Sequence, residues 1–246
     1  MQRRDFTKRG GQAVRALSYE GQRVLVLAPH ADDETIGCGG VIQKYIRHGS
    51  PVRVLIASVV VSESQKYFKD MSQYKTYSGI HRLAEMRRAF EILGITDFHF
   101  MYLDDAPPIR HHSRLDTVPR VEMVTMVEDH IHDFSPTVLF IPSRTKHQDH
   151  EVMHNVALTS ARPYFWQGSI FIYETDGEME FQPNLIVPLT ADEVSIKADA
   201  LDAFGTQLGP ERHPLNPQTI VTRARYRGQL IYADYAEAFQ VLRLHG

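Results

Sequence analysis

The sequence contains one cysteine, Cys38, in 246 residues, which excludes an internal disulfide. Basic residues are not in excess, because 27 Lys and Arg stand against 30 Asp and Glu. The formal net charge of -3 gives no basic footprint for nucleic acid. No apolar run approaches the length needed to span a membrane. The chain also has no linker-like stretch, and with 43% hydrophobic residues we expect one domain with a substantial core.

Short runs rich in β-branched and aromatic residues alternate with helix-like stretches along the chain. This rhythm predicts an α/β fold, a three-layer Rossmann-like domain whose mainly parallel sheet is flanked by helices. The predicted strands are 24–27, 52–58, 98–101 and 138–141, with later strands at 170–173 and 185–187. The predicted helices are 36–48, 79–93, 118–133 and 149–160, with later helices at 191–204 and 234–243.

The segments 59–78 and 104–117 exceed ordinary connections, so we expect them to be loops that line a site. Residues 1–20 are expected to form a loose N-terminal segment and residues 21–246 a single domain. Arg3 and Arg4 are not followed by the apolar region that an export signal needs, which favours a cytoplasmic protein.

Ionisable side chains follow the first predicted strand directly, as His30, Asp32 and Asp33. Carboxylates beside a buried strand must be solvated, protonated or bound to a metal, and binding a divalent metal costs the least free energy. The alternative is a solvated turn in which Asp33 caps a helix, although Ile36 cannot complete a capping box. Ligands of open α/β sheets bind beyond the carboxyl ends of the strands, which favours the metal site.

A second cluster follows the strand predicted at 138–141 and contains His147, Asp149, His150, Glu151 and His154. Two strand-end clusters can together supply three ligands and leave one position open. That arrangement is typical of a catalytic zinc site.

These motifs resemble the PIG-L/LmbE family of zinc-dependent sugar N-deacetylases, whose signatures are (A/P)-H-P-D-D-E and H-P-D-H-x-x-x-H. The matching stretches here are 29–34 and 147–154, in which Ala31 and Gln148 stand where the family has prolines. The resemblance covers most of the chain after residue 20. It includes a helix motif with Arg82, Glu85, Ala89, Leu93 and Gly94, and a tail at 232–239.

The resemblance implies a role for each matched residue. His30, Asp33 and His150 would hold the metal, and Asp32 would be the general base that takes a proton from water. A supporting pair, His147 with Asp149, would stabilise the oxyanion or protonate the leaving amine.

For the substrate, Arg82 would contact a hydroxyl or an anionic substituent. The implied activity is hydrolysis of the N-acetyl group of an amino sugar such as N-acetylglucosamine, or of a glycoconjugate. The implied cofactor is one Zn²⁺ per chain, although other divalent transition metals such as iron or cobalt would suit the ligands. The implied partner is a small molecule, and neither nucleic acid nor a membrane span is expected. Because members of the family form oligomers, the resemblance also allows a homo-oligomer.

Three alternatives stay open at this point. The stretch 150–154 also matches the zinc-peptidase motif H-E-x-x-H, with Glu151 as base and Glu174 as third ligand. A non-catalytic sugar-binding or metal-binding module would keep the pocket without turnover. Among single residues, Arg82 could be no more than a solvated helix residue that pairs with Glu85, and His154 could have a packing role.

Overall fold

The computed structural model describes residues 17–59, 79–103, 115–177, 179–209 and 215–245. A seven-stranded sheet forms its centre. Five neighbouring strands of this sheet are parallel, and the last strand of the chain, Tyr235–Arg243, pairs antiparallel with Ser169–Tyr173 and with Leu185–Leu189. The fold is therefore α/β with a mainly parallel sheet, as predicted.

The strands of the large sheet are β1 (Val24–His30), β2 (Val52–Val59), β3 (Asp97–Leu103), β4 (Val138–Pro142), β6 (Ser169–Tyr173), β8 (Leu185–Leu189) and β9 (Tyr235–Arg243). Their order across the sheet is β3-β2-β1-β4-β6-β9-β8. Two short strands, β5 (Arg144–Thr145) and β7 (Met179–Glu180), pair with each other. The helices are α1 (Asp33–Arg47), α2 (Gly79–Leu93), α3 (Arg120–Phe134), α4 (Gln148–Ser160), α5 (Ala191–Asp202) and α6 (Pro217–Gln229).

Apolar side chains of each central strand are divided between the two faces of the sheet. In β1, Val24, Val26 and Ala28 pack with α1, α2, α5 and α6, whereas Leu25 and Leu27 pack with α3 and α4. Because both faces are covered by helices, β1 and β4 are apolar at consecutive positions instead of alternating positions. This arrangement gives the predicted three layers.

Helix α1 is broken at Cys38, whose φ of -142° and ψ of 16° are not helical. The amides of Gly40 and Val41 beyond the break donate to the carboxylate of Glu237, each over 2.8 Å. Lys197 donates to the same carboxylate over 2.7 Å, and both of these charged side chains are 4% exposed. Glu237 thus supplies an anion at the N-terminus of the second half of the helix, where the free amides and the dipole favour one.

Two glycines of α1 allow close packing of that helix. A Cβ atom at Gly37 would lie 2.1 Å from the ring of Tyr173, and one at Gly40 would lie 2.6 Å from Leu189. The Tyr173 hydroxyl donates to the Leu27 carbonyl over 2.7 Å, so β6 holds the start of α1 against β1.

The prediction of a helix at 234–243 is wrong, because this segment is the strand β9. Its Ala-Glu-rich stretch favours a helix locally, but pairing with β6 on one side and β8 on the other overrides that preference. Helix α6 was not predicted. It begins with Asn216 as N-cap and Pro217 in its first turn, a pattern typical of a helix start.

The predicted site-lining loops fall mostly outside the described residues. Of the segment 59–78 the structure describes Val59, the last residue of β2, and of 104–117 it describes the 3₁₀ turn Leu115–Thr117. Most of the predicted N-terminal segment, residues 1–16, also lies outside, and the domain boundary stays a prediction. Within the described ranges, no helix has the length and apolar character to cross a membrane.

Candidate metal centre

The two sequence clusters meet at the carboxyl edge of the sheet. The first cluster lies where β1 ends at His30 and α1 begins at Asp33. The second lies at the start of α4, shortly after the neighbouring parallel strand β4. Ligand atoms of His30, Asp33 and His150 all lie within 4.8 Å of one another. These are the three residues that the sequence proposes as ligands.

Asp33 lies between the two imidazole rings. Its Oδ2 is 3.4 Å from His30 Nδ1, and its Oδ1 is 3.4 Å from His150 Nε2. The same Oδ2 also accepts the backbone amide of His30 over 3.0 Å, which holds the carboxylate back over the end of β1. Asp33 therefore does not cap α1, as the turn hypothesis would require.

These distances test whether a metal ion fits. Each N···O separation of 3.4 Å is too long for a good hydrogen bond. Two metal bonds of about 2.1 Å that meet at a tetrahedral angle span about 3.4 Å. Two imidazoles and one carboxylate are also the donor types of a catalytic zinc site. The three residues fit a divalent transition metal.

Thr145 fixes the ring of His150. Its Oγ1 lies 3.0 Å from His150 Nδ1 and also accepts the backbone amide of His147 over 3.0 Å. If Nδ1 donates to Thr145, the lone pair of His150 is on Nε2, the atom that faces Asp33, and we assign this tautomer. The sequence analysis missed Thr145. The available signal was a hydroxyl residue two positions before the histidine of the second motif.

Asp149 has a different partner from the one expected. Its Oδ2 lies 2.9 Å from His30 Nε2, and its Oδ1 accepts the amide of Leu115 over 2.9 Å. The carboxylate thus holds the ring of His30, not that of His147. The exposed ring of His147 instead caps α4, because its Nδ1 accepts the backbone amide of Asp149 over 3.2 Å.

Burial and charge shift the acidities of the cluster. Burial lowers the pKa of His30, but the hydrogen bond with Asp149 and the charges of Asp33 and Asp149 raise it to about 10. Burial would raise the pKa of Asp33, yet the charges of His150 and His30 bring it well below its usual range. For His147, burial and then the charges of His30 and His150 lower the pKa. The cluster therefore concentrates negative charge on Asp33 between two rings.

Asp32 lies beside this group and is 7% exposed. It occupies the N-cap position of α1 without making a side-chain capping bond. No hydrogen bond found among the described residues uses its carboxylate. Burial and then the charge of Asp33 raise the pKa of Asp32 to about 6, whereas Arg82 and His30 act in the opposite direction.

Arg82 belongs to this neighbourhood, because its charge acts on Asp32. The alternative in which Arg82 pairs with Glu85 is not what the structure has. Glu85 accepts both the backbone amide and the hydroxyl of Thr206, over 2.8 and 2.6 Å.

The residues of the peptidase alternative do not come together. His154 Nδ1 lies 2.8 Å from the Pro142 carbonyl, and His154 is in neither of the two groups of side chains in the described part of the chain whose spacing could hold a metal ion. Glu174 is held by Arg227 through two hydrogen bonds of 3.0 and 2.7 Å. Glu151 is exposed. The stretch 150–154 therefore lacks the geometry of a peptidase site.

Comparison with known proteins gives a family match. Residues 25–161 match the family model described as PIG-L, GlcNAc-PI de-N-acetylase, which is more than half of the chain. A Mycobacterium (strain KMS) protein named 1D-myo-inositol 2-acetamido-2-deoxy-alpha-D-glucopyranoside deacetylase is 28% identical over 161 residues. The match covers 59% of this chain and 52% of that protein. The chain thus spans about half the length of the curated relatives it matches.

Solved structures share the fold. The N,N'-diacetylchitobiose deacetylase of Pyrococcus horikoshii has a TM-score of 0.66 at 22% identity, with 90% of this chain and 84% of that chain covered. The 4-carboxy-2-hydroxymuconate hydratase GalB of Pseudomonas putida has a TM-score of 0.65 at 18% identity, with 92% and 98% covered. At such identities the likeness establishes the fold alone, and proteins of this fold carry names of different reactions.

Proposed function

Since the chain belongs to the PIG-L family, we propose that it is a metal-dependent deacetylase that hydrolyses the N-acetyl group of an amino sugar or glycoconjugate. The observation that carries the proposal is the position of Asp32, a buried carboxylate that makes no hydrogen bond to another described residue, beside a three-residue donor set. A general base next to a set of metal ligands is the combination of groups that metal-dependent amide hydrolysis requires.

In this proposal His30 Nδ1, Asp33 and His150 Nε2 hold one divalent ion, most simply zinc. The ion would polarise the acetyl carbonyl and make a neighbouring water more acidic. Asp149 and Thr145 bond the outward nitrogens of the two rings, which fixes their orientation and leaves the inward nitrogens free to bind.

Asp32 acts as the general base. It takes a proton from water while the water oxygen attacks the acetyl carbon. When the carbon–nitrogen bond breaks, the same carboxyl group can return that proton to the departing amine. The products are acetic acid and a free amino sugar; the proton of the acid then passes to the amine, which gives acetate and an ammonium group, so atoms and charges balance.

His147 stabilises the oxyanion. Because its Nδ1 accepts the amide of Asp149, the proton of the neutral ring is on Nε2, and we assign this tautomer. The ring is exposed, so this N–H can donate to substrate while Nδ1 keeps its capping bond. A donor aimed at developing negative charge typically contributes about 10²–10³-fold in rate. Arg82 lies on the Asp32 side, where it would contact a hydroxyl or anionic group of the sugar.

The test is acetate release from a panel of N-acetylated amino sugars that are free, glycosidically linked or nucleotide-linked. The purified protein is assayed as isolated, after chelation and after return of zinc. We expect release that chelation abolishes and zinc restores. Release that persists in chelator, or no release from the panel by protein with confirmed bound metal, would contradict the proposal.

A further inference from the structure

A third group of charged side chains follows β6, the strand next to β4 in the sheet. Glu174 and Asp176 come shortly after the end of β6, and Arg223 and Arg227 reach them from α6. Because β6 is parallel to β4, and β4 to β1, its carboxyl end lies at the edge of the sheet that holds the candidate metal centre. The proposed reaction uses none of these four residues.

The two ion pairs of this group differ in how many of their atoms are bonded. Arg227 holds both carboxylate oxygens of Glu174, one from Nε and one from Nη2. Arg223 makes a single bond, from Nη2 to Oδ1 of Asp176. Nη1 of Arg223 is buried without a hydrogen-bond partner among the described residues, which costs free energy until an acceptor binds there. Since Oδ2 of Asp176 also accepts no hydrogen bond from a described residue, this second pair keeps both a donor and an acceptor for a ligand.

Asp176 lies close to the proposed general base. The hydroxyl of Thr175, its neighbour in the chain, lies 2.6 Å from Oγ of Ser143, which directly follows β4. The charge of Asp176 raises the pKa of Asp32, so the two carboxylates are near each other. The side chains of Asp176 and Arg223 are 18% and 21% exposed, so the pair borders solvent and is not sealed in the core.

We propose that Asp176 and Arg223 form a subsite for a hydroxyl of the sugar ring that carries the acetyl group. A hydroxyl can donate its proton to a carboxylate while its oxygen accepts from a guanidinium. The pair is neutral as a whole and its carboxylate would repel an anion, so a hydroxyl fits this subsite better than a phosphate. Sugar hydroxyls are attached close to the acetamido group, within reach of side chains beside the base. The inference rests on the proposed function for the identity of the ligand.

This subsite would help to select the substrate. Both residues lie after the stretch 25–161 that matches the family model, so the family match assigns them no role. A site that hydrogen-bonds a hydroxyl discriminates against the analogue that lacks it, because the polar groups of the site then stay unpaired. We therefore expect the position of one hydroxyl to decide how well a sugar is used.

The experiment compares one sugar with analogues that lack a single hydroxyl. The values of kcat and KM for acetate release are measured with N-acetylglucosamine and with its monodeoxy analogues. The test variant is Arg223→Lys, which keeps a positive charge beside Asp176 but loses the fork of N–H donors. The matched control is Arg225→Lys, at an exposed position of the same helix. Dissociation constants are measured separately by NMR titration, with Asp32→Asn added to each protein so that the sugar is not consumed.

We expect Arg223→Lys to lower kcat/KM for N-acetylglucosamine about 10–100-fold, the usual effect of losing a hydrogen bond to a charged group, mainly through a higher KM. Arg225→Lys should leave kcat and KM unchanged. For one monodeoxy analogue the wild type and Arg223→Lys should agree within about 2-fold, because the contact is already absent. That agreement would also show that the variant is folded. The dissociation constants should follow the same pattern.

Two results would overturn the inference. One is an unchanged kcat/KM in Arg223→Lys. The other is an equal loss for N-acetylglucosamine and for every analogue, since Arg223 would then act through the fold and not through a hydroxyl. In both cases acetate release by the wild type would leave the proposed function standing. If the wild type released no acetate, the proposed function would fail, and the NMR titration would decide on the subsite: sugar binding that does not depend on Arg223, or no binding, would overturn it.

Discussion

The carboxylate of Glu237 makes three buried bonds, and its replacement by glutamine tests how the second half of α1 is held. In Glu237→Gln the amides of Gly40 and Val41 lose a charged acceptor, and Lys197 keeps its charge without a counterion. Removal of one partner of a buried ion pair typically costs about 3–5 kcal/mol. Because both side chains are 4% exposed, solvent cannot replace the lost partner without opening the core.

The expected loss is measurable by urea or thermal unfolding. For a chain of this size, about 1 kcal/mol corresponds to a change of about 2–4 °C in Tm, so Glu237→Gln should lower Tm by about 6–20 °C. The double variant Glu237→Gln, Lys197→Met removes the unpaired charge and should recover part of the loss. Glu91→Gln, at an exposed position of α2, is the matched control and should leave Tm nearly unchanged.

A loss below about 1 kcal/mol in Glu237→Gln would refute the reasoning, since it would place this pair in the range of exposed ion pairs. A double variant less stable than the single variant would also contradict it. That outcome would mean that Lys197 stabilises the fold through its packing and not through its charge.

Three further predictions concern the site and its support. Asp32→Asn should keep zinc and lower the rate of acetate release about 10²–10⁴-fold, the usual contribution of a general base, as measured by zinc content and kcat. Thr145→Val should weaken zinc binding about 10–100-fold by freeing the ring of His150, whereas Thr145→Ser should bind nearly normally in a chelator competition. Gly37→Ala should lower the free energy of unfolding by about 1–3 kcal/mol, because its Cβ would meet the ring of Tyr173, and urea titration would detect this. Retained turnover in the first variant, equal zinc affinity in the second pair or unchanged stability in the third would contradict the respective argument.

The sequence predicted the parallel part of the sheet well, because those strands are buried on both faces and carry continuous apolar runs. It failed at β9, where Ala236, Glu237 and Ala238 favour a helix by composition. The strand is fixed by partners that lie far away in the sequence, and no local pattern contains that information. Helix α6, in contrast, was predictable from its Asn-Pro start.

The place of the candidate site followed from the sequence because each cluster adjoins a strand of the parallel sheet, and the carboxyl ends of such strands share one edge. The choice of His30, Asp33 and His150 as ligands came from the family resemblance. The pairing inside the cluster did not follow. Proximity in the sequence suggested that Asp149 holds His147, two residues away, whereas its carboxylate reaches His30 across 119 positions. Which atom a carboxylate contacts depends on how α4 is placed against β1, and that placement is set by packing.

The last third of the chain holds the site in place, and this limits how the protein could be divided into fragments. All residues proposed for the chemistry lie between His30 and His150, yet a fragment that ends at Ala161 would lose β6, β8 and β9. Such a fragment would expose the β4 edge of the sheet as an open row of peptide groups, a surface prone to aggregation. It would also lose the ring of Tyr173 and the carboxylate of Glu237, which hold both halves of α1. The two motifs therefore cannot be moved into another protein without the rest of the chain. In a chimera of two related proteins, the segments before and after residue 161 should come from the same parent.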